Sequence, residues 1–356
     1  MDTKVLNCCV IVHTLLALIP LHMTAHLQDF KSNKNVEKST KNMELHPDQI
    51  HLSLGKKSND VIVMWASSFD DESVVEYHTG EKAQLKEKKG ETIHFTSNTQ
   101  GRQYLHRVEL SDLEPGTKYY YAVRGKTEKL ISDQYSFVVP GKHNVQTYMI
   151  YGDMGTQSTN VQFIVHEAIL EDKSNTYEAI FHIGDIAYDL GKSGGTVGDK
   201  FLNTVQKMTA RIPYMTVPGD HDLFHNDQYR YRFSMPGCDW PMKSDHIDVG
   251  FVHFVGISTE IFFGGSDNTT NSENILSFMK WLQNDLQKAN ENRRQYPWVI
   301  VMGHRPLYCS VDDKNEDCTK EDSVVRNKLE NMFYSYGVDL YISGHNHIYE
   351  RTLSGL

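Results

Sequence analysis

Five segments of this chain carry side chains that commonly bind metal ions in proteins. They are Gly152-Asp153-Met154-Gly155, Gly184-Asp185-Ile186-Ala187-Tyr188, Gly219-Asp220-His221-Asp222, Val301-Met302-Gly303-His304 and Gly344-His345-Asn346-His347. In each segment a glycine gives the backbone freedom to turn beside the polar side chains. Carboxylate, phenol and imidazole donors without thiolate suit iron, manganese or zinc, and they do not suit copper(I).

Each segment also has a structural explanation when it is taken singly. An aspartate after a strand often caps the next helix, and a lone histidine is usually only hydrogen-bonded. Taken together, the segments offer three or four carboxylates, a phenol and up to four imidazoles, which are too many polar groups to bury at one place without cations. Two cations bridged by a carboxylate can hold a phosphoryl oxygen and lower the pKa of a bound water. The residues therefore predict a two-metal site that hydrolyses a phosphate ester.

The apolar runs around these segments predict an α/β domain after residue 142. Strands are predicted at 148–151, 179–183, 214–217, 251–257, 299–302 and 338–342, and helices at 160–171, 200–210, 275–289 and 323–334. In open α/β sheets, ligands bind beyond the carboxyl ends of the strands. Five of the predicted strands run into the metal-binding segments, so we expect these segments to meet at one edge of the domain.

Residues 44–140 predict an all-β sandwich. The runs 49–54, 61–65 and 73–77 are alternating or β-branched, and Gly and Asp separate them. The stretch Leu113-Glu114-Pro115-Gly116-Thr117-Lys118-Tyr119 resembles the Leu-x-Pro-x-Thr-x-Tyr segment of fibronectin type III domains. We expect a structural role for this domain.

The N-terminal residues predict export. Residues 5–21 form a long apolar run that ends near small residues, which predicts a signal peptide over 1–25, with a retained anchor as the alternative. A flexible leader is expected over 26–43. The product would then be secreted or lysosomal, with no membrane association after signal cleavage. Asn268 begins a glycosylation sequon, and Cys309 and Cys318 could form a disulfide that leaves Cys238 unpaired.

The charge of the chain argues against nucleic-acid partners. It carries 46 acidic and 36 basic side chains, and its formal net charge is -10. A basic face for a phosphate backbone is therefore not expected.

The five segments resemble the motifs of purple acid phosphatases, which are calcineurin-like metallophosphoesterases, over residues 44–356. The resemblance implies a fibronectin-like domain over 44–140 and an αββα metallophosphoesterase domain over 141–356. It assigns Asp153, Asp185, Tyr188 and His347 to Fe(III), and Asp185, Asp220, His304 and His345 to a divalent zinc, iron or manganese ion. His221 resembles the histidine that binds phosphate and donates a proton. The implied activity is hydrolysis of phosphate monoesters by attack of a metal-bound hydroxide, in an oligomeric state that the sequence leaves open.

The chain departs from the family pattern in three places. Asp220 stands where the family has asparagine, so the loaded site carries one more negative charge, and we expect reduced turnover or altered metal preference. Lys320 falls about where a long-form histidine would lie, either as a phosphate ligand or as a solvated surface charge. The family continues for several strands beyond position 356, so we expect exposed sheet surface and poor solubility of this chain alone.

These departures leave two alternatives to the acid phosphatase. One is a catalytically impaired exported protein of the same fold, and the other is a phosphodiesterase with the same metal site.

Overall fold

The chain is described here by a computed structural model. It describes residues 5–10 and 46–352, except 96–103, 127–130, 142–144, 157–160, 162–163, 166–167, 169–176, 223–225, 237–244, 264–271 and 311–315. The predicted leader, the sequon at Asn268 and Cys238 therefore lie outside the described residues.

The first domain is a sandwich of two antiparallel sheets. One sheet has the strand order β2-β3-β7-β6 and the other has the order β5-β4-β8-β9. The bounds are β2 Asp48–Leu54, β3 Val61–Ser67, β4 Val74–His78, β5 Lys86–Lys89, β6 Glu91–His94, β7 Tyr104–Leu110, β8 Lys118–Arg124 and β9 Tyr135–Val138. Alternation along β8 buries Tyr119, Tyr121 and Val123 between the sheets. The predicted sandwich is confirmed.

The second domain contains two sheets with mainly parallel strands. One has the order β1-β10-β11-β12, and the other has the order β13-β14-β15-β16, in which only the β13–β14 pair is antiparallel. The bounds are β1 Val5–Val10, β10 Val145–Tyr151, β11 Tyr177–Ile183, β12 Tyr214–Val217, β13 Asp245–Val249, β14 Val252–Ile257, β15 Trp298–Gly303 and β16 Leu340–Ile342. Tyr148 and Phe181 of the first sheet contact Phe254 of the second, so the sheets pack face to face.

Helices cover the outer faces of both sheets. Their bounds are α1 Thr196–Thr209, α2 Asn226–Arg232, α3 Ser272–Glu291 and α4 Val324–Ser335, with short 3-10 turns at Thr259–Phe262 and Asp317–Thr319. In the predicted helix 160–171, the described residues Val161, Ile164, Val165 and Ala168 are helical and buried, as the helical period requires. The αββα arrangement that the sequence predicts is confirmed. Among the described residues, no helix has the length and apolar character to cross a membrane.

Several elements were not predicted from the sequence, among them α2, β13 and β1. The helix α2 carries charged residues at both ends, and β13 starts with Asp245 and His246, so neither has a clear apolar pattern. The strand β1 pairs in parallel with β10, with Val5 opposite Val145 and Val10 opposite Ile150. It occupies the edge of the first sheet, and the signal peptide stays a prediction.

A buried arginine joins the two domains. Arg232 donates to Gln49 Oε1 of β2 at 2.9 Å, to Asp199 Oδ1 of α1 at 2.8 Å and to the Gly195 carbonyl at 3.0 Å. The guanidinium is fully buried, so these acceptors compensate its lost hydration. Tyr121 adds a hydrogen bond across the same interface to the Ala210 carbonyl at 2.8 Å. The sandwich therefore supports α1, which packs behind the first sheet.

A second buried charge network joins β13, β14 and α3. His253 Nδ1 lies 2.7 Å from Asp248 Oδ1, and His253 Nε2 lies 3.1 Å from Asp285 Oδ2. His246 Nδ1 lies 2.8 Å from the other oxygen of Asp285. Both ring nitrogens of His253 face carboxylates, so the doubly protonated ring satisfies them best. Burial alone would lower the pKa of His253, but the bonds to Asp248 and Asp285 raise it to about 9.

The His253 network predicts a pH-dependent contribution to stability. The folded-state pKa of about 9 exceeds the ordinary 6.5, so this contribution is complete below pH 6.5 and is lost as pH rises through 9. It amounts to at most about 3 kcal/mol. Chemical denaturation across this range should show the free energy of unfolding of the His253→Gln variant changing less with pH than that of the unmodified chain. An equal pH slope in the two proteins would contradict the assignment, and exposed His46→Gln serves as the control.

Candidate metal centre

The metal-binding segments follow strands that end at the same level. In the first sheet Ile183 of β11 lies opposite Val217 of β12, and in the second Met302 of β15 lies opposite Ile342 of β16. Hydrogen bonds then join neighbouring loops within each sheet. The Asp153 amide donates to the Gly184 carbonyl at 3.0 Å, and the Gly344 amide donates to the His304 carbonyl at 2.9 Å.

Four of the predicted ligands have an unusual backbone conformation. Asp153, Asp185, Tyr188 and His345 have φ values of 56°, 51°, 52° and 69°. Residues other than glycine rarely adopt this left-handed region, since each such residue costs about 1–3 kcal/mol and persists only where its surroundings fix it. Such conformations concentrate at functional sites, because they direct a side chain where a regular strand or helix would not.

Glycines allow the ligands to approach one another closely. A Cβ atom at Gly219 would lie 2.3 Å from Asp185 Oδ1, and a Cβ atom at Gly344 would lie 2.4 Å from Asp153 Oδ2. A Cβ atom at Gly184 would lie 2.3 Å from His304 Nδ1. These distances are too short for any other residue, so the glycines define the space that the acidic and histidine side chains fill.

One half of the centre is built around Asp153. Its Oδ2 accepts from the His345 amide at 2.9 Å, and its Oδ1 lies 3.3 Å from His347 Nε2. Tyr188 Oη lies 2.5 Å from His347 Nε2 and 3.5 Å from Asp153 Oδ1. A carboxylate, a phenol and an imidazole thus converge, with Asp185 and the buried His304 alongside Asp153 within metal-ligand range.

The other half is built around His304. Its Nδ1 lies 3.0 Å from the Ile183 carbonyl, so Nδ1 carries the hydrogen and Nε2 faces the centre. His304 Nε2 lies 3.1 Å from Asp220 Oδ1, 3.5 Å from Asp185 Oδ1 and 3.2 Å from His345 Nδ1. Asp220, His304 and His345 therefore form a second group whose donor atoms could share one ion.

The electrostatics of the site favour a positive charge between these groups. Burial alone would lower the pKa of His304, yet its bond to Asp220 and the charges of Asp185 and Asp153 raise it to about 10. Burial raises the pKa of Asp220, but bonds to His304 and His345 and the Arg305 charge hold it well below its usual range. Burial and the neighbouring carboxylates raise the pKa of Tyr188, so ionising its phenol requires a cation close to the oxygen.

The other predicted site residues differ in their relation to this centre. The His221 amide donates to Asp185 Oδ1 at 3.1 Å, and its half-exposed ring packs edge-on against Tyr188. His221 Nε2 lies 4.0 Å from Asp185 Oδ2, so the ring borders the centre. Lys320 is exposed, and within the described part of the chain its side chain makes no hydrogen bond or ion pair with the site. Cys309 and Cys318 form a disulfide.

Sequence reasoning missed the residues that support the ligands. Buried Asp222 accepts from the Gly219 amide at 2.9 Å and from the Ile186 amide at 3.1 Å, which ties together the loops of Asp220 and Asp185. Burial beside Asp185 raises the pKa of Asp222 to about 8. In the sequence, the position of Asp222 inside the third metal-binding segment was the feature that could have indicated its role.

Arg305 was also missed as a member of the site. Its Nε donates to both carboxylate oxygens of Glu260, at 2.9 and 3.0 Å, and its Nη2 lies 3.6 Å from Asp220 Oδ2. The ring centroid of Phe263 lies 4.3 Å from the guanidinium carbon, so the ring covers one face of the guanidinium. In the sequence, only its position next to His304 indicated that Arg305 could belong to the site, and no sequence feature indicated Glu260.

The comparisons with known proteins agree with this architecture. Residues 47–139 match the N-terminal domain of purple acid phosphatases, and residues 147–349 match the calcineurin-like phosphoesterases. The chain therefore belongs to the calcineurin-like phosphoesterases, and within them to the purple acid phosphatase family.

Its relatives include acid phosphatases of vertebrates. Acid phosphatase type 7 of Danio rerio is 37% identical over 327 residues, which cover 86% of this chain and 71% of that protein. Acid phosphatase type 7 of Homo sapiens is 33% identical over 319 residues, which cover 86% of this chain and 70% of that protein. A purple acid phosphatase from yellow lupin (Lupinus luteus) seeds superposes with a TM-score of 0.69 at 21% identity. That match covers 85% of this chain and 58% of the lupin chain, and it shows a common fold.

The close approach of Gly344 to Asp153 gives a test of the centre. In Gly344→Ala, the new Cβ would lie 2.4 Å from Asp153 Oδ2, so the carboxylate must move away from His347. We expect metal affinity to fall by about 10-fold or more with the fold retained. Elemental analysis and thermal melting check both points. Gly80→Ala is the matched control, since no atom lies within 4 Å of its new Cβ; full metal content in Gly344→Ala would contradict the geometry.

Proposed function

We propose that this protein is a two-metal acid phosphatase that hydrolyses phosphate monoesters. The observation that supports the proposal most directly is the convergence of Asp153, Asp185, Asp220, His304 and His345 at one set of strand ends. The donor set consists of oxygen and nitrogen atoms, which fits Fe(III) with a divalent zinc, iron or manganese ion. When bound, two such ions would polarise the phosphoryl group and lower the pKa of a bound water.

The ligand sets proposed for the two ions follow the two halves of the centre. Asp153, Tyr188 and His347 would hold the ferric ion, since a phenol that burial keeps neutral is ionised best by a trivalent cation. Asp220, His304 and His345 would hold the divalent ion. Asp185 would bridge, because its oxygen lies 3.5 Å from His304 Nε2 and its carboxylate also lies near Asp153.

The half-exposed His221 is the proposed proton donor to the leaving alcohol. Its ring borders the centre without entering either ligand group, and it stacks edge-on against Tyr188. An imidazole at this position can bind a phosphate oxygen and can donate its proton at acidic pH.

We further propose that the protein is exported, to the cell exterior or to the lysosome. The apolar run 5–21 and the sequon at Asn268 support this location. The disulfide between Cys309 and Cys318 also suits an oxidising compartment.

The phosphatase proposal is tested with the full chain loaded with iron and zinc. Hydrolysis of p-nitrophenyl phosphate should exceed hydrolysis of bis(p-nitrophenyl) phosphate and should be fastest at acidic pH. His221→Ala should lower kcat by about 100-fold or more while both metals stay bound. Elemental analysis and the visible spectrum monitor the metals. A folded protein that binds no metal would rule the proposal out, and a preference for the diester would favour a phosphodiesterase.

Asp220 allows a separate test of the charge of the centre. Asp220→Asn keeps an oxygen ligand and removes one negative charge, so a phosphate dianion should be attracted more strongly. We expect kcat/KM to rise by about 5-fold, which corresponds to about 1 kcal/mol. Steady-state kinetics and metal analysis provide the measurement, with exposed Asp227→Asn as the control. Unchanged activity together with unchanged metal content would show that Asp220 does not limit the enzyme.

A further inference from the structure

Glu316 is an acidic residue that touches the centre from outside. Its Oε2 lies 3.0 Å from His345 Nε2, and His345 points its other nitrogen, Nδ1, toward Asp220 and His304. The contact joins two chain segments that are 29 residues apart, and neither side chain is exposed. Nothing in the sequence motifs assigns Glu316 a role.

The role of this contact depends on which ring nitrogen of His345 carries the hydrogen. Nδ1 lies 3.3 Å from Asp220 Oδ1 and 3.2 Å from His304 Nε2, which makes it the nitrogen able to bind an ion there. A neutral imidazole that binds metal through Nδ1 carries its hydrogen on Nε2. Nε2 has two neighbours, Glu316 Oε2 at 3.0 Å and Arg305 Nη1 at 3.0 Å. Of these two, only the carboxylate can accept the hydrogen, because a guanidinium has no acceptor.

Glu316 is itself held in place by its neighbours. Asp317 caps α4, since its Oδ1 accepts from the Val324 amide at 2.9 Å and its Oδ2 from the Ser323 hydroxyl at 2.7 Å. Cys318 is joined by the disulfide to Cys309, in the segment that follows His304. The backbone that directly follows Glu316 is thus held by the buried Asp317 carboxylate and by the disulfide of Cys318.

We infer that Glu316 is a positioning residue that orients His345 for the divalent ion, and that the Cys309–Cys318 disulfide keeps Glu316 in reach. The inference rests on the proposed two-metal function and adds a residue to it. A carboxylate that accepts from a metal-bound histidine fixes the ring and increases its basicity, and losing it typically lowers metal affinity by about 10- to 100-fold.

The test compares zinc affinity in the full chain and its variants by competition with a chelator. The unmodified chain should release two equivalents of metal. In Glu316→Ala one equivalent should be bound about 10- to 100-fold more weakly, while the affinity for the other equivalent stays unchanged. The zinc affinity of Glu316→Gln should lie between those of the unmodified chain and Glu316→Ala, because its amide oxygen still accepts the hydrogen but carries no charge. Glu321→Gln is the matched control, since this glutamate lies in the same segment and its side chain is exposed.

The disulfide is tested by combining variants. Cys309→Ser with Cys318→Ser should weaken the same equivalent of metal, and adding Glu316→Ala should weaken it no further, because both changes remove one interaction. Additive losses would overturn the link between the disulfide and Glu316.

The outcomes separate this inference from the proposed function. Two bound equivalents with unchanged affinity in Glu316→Ala would overturn the inference alone. Simultaneous loss of both equivalents, or a lower melting temperature in Glu316→Ala, would show a general structural role and overturn it as well. An unmodified chain that binds no metal would overturn the proposed function and the inference together.

Discussion

Mutual repulsion among buried carboxylates is the constraint on which this site depends. Asp153 and Asp185 are buried and Asp220 is half-buried, and all three face His304 from distances of a few ångströms. Charged carboxylates in such a place are unfavourable unless positive charge and hydrogen bonds compensate them. The imidazoles of His304, His345 and His347 supply the hydrogen bonds, and an arrangement of this kind favours cations strongly. The same groups that would be costly in an ordinary core thus form a candidate metal centre.

The packed strands hold the carboxylate and imidazole residues in place although their backbone conformations are unfavourable. Asp153, Asp185 and His345 all have positive φ, and each follows a strand of a parallel pair. The sheets pack through aromatic side chains such as Phe181 and Phe254, so the strand ends are fixed before the loops begin. A strained residue persists only where its surroundings fix it, and here two packed sheets do so. Asp222 then joins two of the loops directly through their amides.

The sequence predicted the parts of the molecule that local patterns encode. Period-two and continuous apolar runs identified the first three sandwich strands and the strands before each metal-binding segment, because burial on one or both faces leaves these patterns. Alternating polar and charged residues concealed α2 and β13, which are held by contacts such as Arg232 with Gln49 and Asp248 with His253. The ligand types were visible in the motifs, but Glu260 and Glu316 were not, because they reach the site from loops whose positions depend on tertiary structure.

The charge balance of the centre extends past its ligands. From the sequence, aspartate at position 220 simply adds a negative charge where the family has asparagine. The structure places the guanidinium of Arg305 3.6 Å from Asp220 Oδ2, with Phe263 shielding one face from water. Arg305 also neutralises buried Glu260, so its charge is shared between two carboxylates and compensates Asp220 only in part. The charge at position 220 therefore cannot be considered alone, since an ion bound beside it would experience the summed charges of Asp220, Arg305 and Glu260.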